Sequence, residues 1–220
     1  LTKHPRHGTS TPEGRALATK AASYHANSAA ALMQLGRLSD ALAECDAALK
    51  ADRSLGKALL RVAHVQLMLG DTDEARRFYV EAAGVGNSVE SEAGLKACAA
   101  DEQQASRLHA ELIMCRRAAA STVGNASSSH QLKTLVATLE AACNRAPHNA
   151  SLRSLQAEVL SASGRMAEAH ALCEAQLQAP AAHRGHTSMW MYTLGRVLYD
   201  SSLLPEAAEK LTEALQRPHA

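Results

Sequence analysis

Four stretches of this 220-residue chain fall into register beneath one another, and that recurrence restricts the fold more than any other feature. They are ALMQLGRLSDALAECDAALKAD from Ala31, VQLMLGDTDEARRFYVEAA from Val65, EVLSASGRMAEAHALCEAQLQAP from Glu158 and RVLYDSSLLPEAAEKLTEALQRP from Arg196. Gly36, Gly70 and Gly164 share one place in the alignment, and Ala41, Ala75, Ala169 and Ala207 share another, five residues on from it. Twelve residues before each alanine stands a further small residue: Ala29, Ala63, Ala157 and Gly195. Small residues at matched places on either side of a turn mark where two antiparallel helices touch. Within the segment after each turn the apolar positions recur at helical spacing, as at Ala41, Leu42, Cys45, Ala48 and Leu49. One helix pair cannot bury such a stripe alone, so the units are expected to stack.

Composition agrees with packed helices. Hydrophobic residues make up 46% of the chain but aromatic residues only 3%, with one Phe and one Trp, so the core is knitted from Ala, Leu and Val. That argues against a sandwich or barrel. A formal net charge of +1 and the lack of a basic block leave nothing to steer the chain onto nucleic acid or an anionic membrane. No apolar run approaches the ~18 residues that span a bilayer, and a cytoplasmic protein is expected. Cys45, Cys98, Cys115, Cys143 and Cys173 are scattered and never form Cys-x-x-Cys, which reads as buried thiols in a reducing compartment. Trp190 is expected in the core. His183 and His186 form an isolated His-x-x-His with no further ligands near them, so no metal is expected. With no phosphate-binding glycine loop and no nucleophile with its base, neither catalysis nor a cofactor is expected.

Along the chain, residues 1–10 are expected to be ragged, and Thr11 followed by Pro12 starts a helix that runs to about Gln34. Residues 11–87 form a first repeat group, and 88–121 a long linking helix over ESEAGLKACAADEQQASRLHAELIMCRRAA. Residues 122–217 form a second group with one degenerate and two full units, the degenerate one opening on STVGNASSSH as a loop or frayed turn. From Ala41 to Ala75 is 34 residues, and from Ala169 to Ala207 is 38, the extra four falling in APAAHRGHTS before Trp190. A period of about 34 is that of tetratricopeptide repeats, so the fold class expected is an all-α tetratricopeptide superhelix of antiparallel helix pairs.

The stretch YHANSAAALMQLGRLSDALAECDAALKADRSLGKALLR resembles the clamp-type tetratricopeptide domains of chaperone cofactors. Their pattern runs Asn-Arg-Ala, a Leu-Gly turn, an acidic loop, then Lys-Ala-x-x-Arg. The order of clamp repeats, long helix, degenerate unit and two further repeats is similar to that of the multi-repeat, J-domain-bearing DnaJ co-chaperones of the eukaryotic cytosol. The resemblance covers roughly residues 20 to 217. Plant-type tetratricopeptide thioredoxin-like proteins share the pattern of the first third. The resemblance implies a carboxylate clamp for the free C-terminal Asp of the seventy- and ninety-kilodalton heat-shock chaperones, which end in Glu-Glu-Val-Asp. It assigns Asn27 an amide hydrogen bond to that carboxylate, and Lys57 and Arg61 the basic pair. The Arg of the family's Asn-Arg-Ala is Ser28 here, and the clamp's first-repeat Lys and Asn would precede residue 1.

Spacing agrees independently, because Lys57 and Arg61 are four apart on one helix face and Asn27 to Arg61 is one period of 34. The positions equivalent to Lys57 and Arg61 are Ser151 and Leu155 in the third full unit, and Met189 and Thr193 in the last. The second group is therefore expected to be scaffold or a more apolar groove. The function expected is a chaperone-cofactor scaffold for heat-shock chaperone tails and client proteins. The alternative is an assembly scaffold that packs against partner subunits through apolar surfaces.

Overall fold

The computed structural model describes residues 11–120, 126–178 and 186–216. Among them the regular structure is ten α-helices and no strand. In chain order these are α1 (Pro12–Gln34), α2 (Leu38–Ala51), α3 (Gly56–Leu69), α4 (Thr72–Gly84), α5 (Ser88–Ala120), α6 (Ala126–Arg145), α7 (Ala150–Ala162), α8 (Met166–Leu177), α9 (Thr187–Asp200) and α10 (Leu204–Gln216). The segment expected to be ragged, residues 1–10, lies outside the described residues, as does the start of the expected Ser-rich loop, 121–125. The rest of that loop is corrected: α6 already begins at Ala126.

The helices gather into two compact units. The first comprises residues up to Leu67 and Thr72–Ala99, the second Met68–Asp71 and Ala100 onward. Local sequence explains the helix ends. Thr11 caps α1, its hydroxyl accepting from the Gly14 N–H at 3.0 Å, with Pro12 opening the first turn. After α1 and α7, Gly36 and Gly164 adopt left-handed backbone, φ 71° and 85°. In both turns an N–H reaches back five residues, Arg37 to the Leu32 carbonyl and Arg165 to the Leu160 carbonyl, each at 2.9 Å. After α9 the equivalent place holds Ser202, which takes φ 62° and lets the Leu203 N–H reach the Leu198 carbonyl at 3.0 Å.

The alignment's small residues sit where the helices meet. Ala29, Ala41, Ala63, Ala75, Ala157 and Ala169 are fully buried. Gly195 lies so close to α10 that a Cβ there would come within 2.8 Å of Leu211 Cγ and 3.3 Å of the Ala207 carbonyl oxygen. These are the close contacts of antiparallel helix pairs, and the all-α fold expected from the sequence is the one adopted.

The first unit's core consists of small clusters: Ala26 with Ala48 and Ala58, Ala29 with Cys45 and Val62, and Ala63 with Ala75, Tyr79 and Cys98. The second has one larger cluster that includes Leu112, Leu139, Val159, Trp190 and Val197. Each such Leu or Val stabilises the fold by about 1.5–3 kcal/mol. All five cysteines are buried thiols, and Trp190 is 1% exposed.

Candidate functional site

In the first unit α1 and α3 contribute to the same apolar clusters, through Ala26 and Ala58 and through Ala29 and Val62. Asn27 follows Ala26 on α1, and Arg61 precedes Val62 on α3. The packing that draws Ala26 and Val62 inward thus sets Asn27 and Arg61 on neighbouring helices. Lys57 lies one turn before Arg61 on α3. Asn27 and Lys57 are exposed and Arg61 is half-buried. Among the described residues none of the three has a hydrogen-bond or ion-pair partner, and nothing links them directly to one another.

Arg61 is the distinctive member. Its Nη1 is buried and has no hydrogen-bond acceptor among the described residues. A guanidinium nitrogen cut off from both water and acceptor is costly. The positive charge also reaches Cys45. Burial pushes that thiol up to about 11, Arg61 acts in the opposite direction, and the carboxylates of Asp46 and Glu44 add to the rise.

In the second unit, Ser151, Leu155, Met189 and Thr193, the counterparts of Lys57 and Arg61, line a groove of about 360 Å³ between α5, α7 and α9. The two places that carry cations in the first unit hold hydroxyls and apolar side chains here. Glu158 also lines this groove and is 8% exposed. Behind it, Arg116 Nη2 donates to Asp200 Oδ2 at 3.0 Å and to the Glu158 carbonyl at 3.4 Å, and the Ser161 hydroxyl donates to the same Asp200 oxygen at 2.8 Å. Sequence reasoning missed this network. Arg116, Glu158 and Asp200 are 42 residues apart at each step and carry no motif.

His183 of the His-x-x-His lies outside the described residues. Among the described residues no group of three or more His, Cys, Asp or Glu side chains is placed to hold a metal ion. No described helix is long and apolar enough to cross a membrane.

No known family's profile matches this chain, and no curated protein matches it. Two solved structures are similar to it over most of their length. One is YrrB, described as a TPR protein with an unusual peptide-binding site: 20% identity over 89% of this chain and 86% of that one, with a TM-score of 0.35. The other is TTC0263, a thermophilic TPR protein of Thermus thermophilus: 20% identity over 90% of this chain and 92% of that one, with a TM-score of 0.38. Likeness at this level carries no weight for function. The repeat assignment stands on the chain's own register, left-handed turns and close helix approaches.

Proposed function

We propose that this chain is a protein-binding repeat scaffold of a cytosolic chaperone cofactor, and that its first unit takes the free C-terminal carboxylate of an acidic peptide. The observation that carries this reading is the buried, acceptorless Nη1 of Arg61, one helical turn from the exposed Lys57 and on the helix that neighbours Asn27. A carboxylate supplies two oxygens that accept from guanidinium, ammonium and amide alike. Peptides ending in Glu-Glu-Val-Asp, the tails of the large heat-shock chaperones, fit that chemistry and agree with the sequence pattern around Asn27, Lys57 and Arg61.

Fluorescence anisotropy with such a peptide tests it. Binding should be lost on amidation of the C-terminus, weaken with salt, and fall roughly tenfold to a hundredfold in Arg61→Ala. Binding indifferent to both changes would sink the clamp. It would favour the second reading, an assembly scaffold, for which the exposed apolar residues of α1 and its C-cap speak: Leu17, Tyr24 and Leu35 are 67%, 73% and 71% exposed.

A further inference from the structure

The groove of the second unit carries a polarity opposite to that proposed for the first. Most of its polar groups are already engaged. The Ser151 hydroxyl donates to the Gly70 carbonyl at 3.3 Å, the Ser154 and Thr193 hydroxyls lie 3.2 Å apart, and the Thr193 hydroxyl donates to the Met189 carbonyl at 2.9 Å. The Tyr192 hydroxyl accepts from Arg196 at 3.3 Å. Glu158 is different. It is more than nine-tenths buried, it lines the groove, and its carboxylate accepts no hydrogen bond among the described residues.

Its one ion pair among the described residues is long, 3.9 Å to Arg116 Nη2, and that nitrogen sits closer to Asp200, at 3.0 Å. Arg196 attracts Glu158 at longer range, but its hydrogen bond goes to Tyr192. Neither arginine lines the groove, and no lysine does. The Glu158 oxygens are not sealed off but open to the groove, so a bound side chain can donate to them in place of water. Leu155 and Met189 beside it supply apolar contact for a side chain's carbon stem.

We infer that this groove is a second peptide-binding site, specific for a segment that presents a Lys or Arg side chain to Glu158 and indifferent to a free C-terminus. The charge-assisted bond from that side chain supplies the donor Glu158 lacks. The same face that draws a basic side chain repels an acidic tail, so the two units select different partners. The site stands independently of the first unit's clamp, because none of its residues belongs to that unit.

A positional-scanning library of octapeptides, acetylated and amidated so that no terminal charge remains, tests this on the whole chain. Lys or Arg should be enriched at one position on the parent protein and on Arg61→Ala. The enrichment should fall at least tenfold in Glu158→Gln, and also in Ser106→Lys, which sets a cation on an exposed lining residue that makes no hydrogen bond among the described residues. Circular dichroism on Ser106→Lys checks that this variant is folded, so that the result does not depend on how Glu158→Gln packs. No basic enrichment, or enrichment that survives both variants, overturns the site. Loss of enrichment in Arg61→Ala alone would place basic-peptide binding in the first unit and overturn it equally.

Discussion

Tyr79 of α4 lies so close to Gly94 of α5 that a Cβ on the glycine would come within 2.2 Å of the tyrosine Cε1 and 2.3 Å of its Cζ. Tyr79 is fully buried among Ala63, Ala75 and Cys98, with the His64 ring edge-on at 5.6 Å between centroids, so it has nowhere to retreat. Gly94→Ala should therefore destabilise the first unit by about 2–3 kcal/mol through overpacking. The same substitution in a Tyr79→Ala background should cost far less, because the clash has gone. A double-mutant cycle on urea midpoints reads the coupling, and strictly additive losses would contradict the contact.

The hydroxyl of that tyrosine is a separate matter. It is buried with no hydrogen-bond partner among the described residues, and burial pushes its pKa up to about 12, with Cys98 adding to the rise. A buried hydroxyl without a partner costs free energy, so Tyr79→Phe should leave stability unchanged or raise it by up to about 1 kcal/mol. A loss of more than that in a denaturant titration would contradict the orphaned hydroxyl.

Ser202 holds φ 62° at the turn where Gly36 and Gly164 serve the other pairs. A side chain in left-handed backbone is strained by about 1 kcal/mol, while glycine loses more chain entropy on folding. Strain relief should prevail, because Ser202 is exposed and its side chain has no bond to lose among the described residues. Ser202→Gly should raise the second unit's stability by roughly 0.5 kcal/mol. Ser202→Val, β-branched at the same φ, should lower it by more than the glycine gains. Thermal melts of the two variants against the parent decide the sign.

What was legible in the sequence was whatever repeats. Glycine before the second helix and alanine at each close approach recur because every pair solves the same packing problem, so register alone located Ala41, Ala75, Ala169 and Ala207. Ser202 and Gly195 depart from their columns in residue type yet occupy the same backbone states, which shows that the column fixes geometry rather than identity. Non-repeating features were not legible. The Gly94–Tyr79 approach, the Asn149 side chain that caps α7 by accepting from the Leu152 N–H at 3.0 Å, and the Arg116–Asp200 pair each occur once. Of the candidate site, spacing put Lys57 and Arg61 on one helix face, but the buried, acceptorless Nη1 of Arg61 depends on how α3 packs and has no sequence signal.

The Arg116–Asp200 pair lies between the surface and core regimes, its side chains 24% and 23% exposed. Removing one partner should cost about 1–3 kcal/mol, more than a surface pair and less than a fully buried one. Asp200→Ala also takes from the Ser161 hydroxyl its carboxylate acceptor, leaving it only Met166 Sδ at 3.4 Å, so it should exceed Ser161→Ala in effect. Arg116→Met, which keeps the stem but loses the charge, should cost less than Arg116→Ala. Equal losses for Met and Ala would show that the charge matters and the stem does not.

Alkaline pH tests the burial of the thiols. From an ordinary value of 9.0, burial raises Cys45 to about 11 in the first unit and Cys173 to about 12 in the second; Glu158 and Glu174 add to the latter. The unfolded chain therefore releases these protons at lower pH than the folded one. The stability this contributes is complete below pH 9 and declines as pH rises from there toward each folded value. Within that window each thiol's share should fall by about 1.4 kcal/mol per pH unit. Tyr79, raised from 10.0, should add to the first unit's decline only above pH 10. Urea midpoints measured between pH 8 and 10 should fall in the parent, and more shallowly in Cys45→Ala for the first unit and in Cys173→Ala for the second. Slopes equal to the parent's in both variants would mean that neither thiol is shielded from water, and thiol-specific reagents would then label them in the folded chain at pH 8, where a buried thiol stays unreactive.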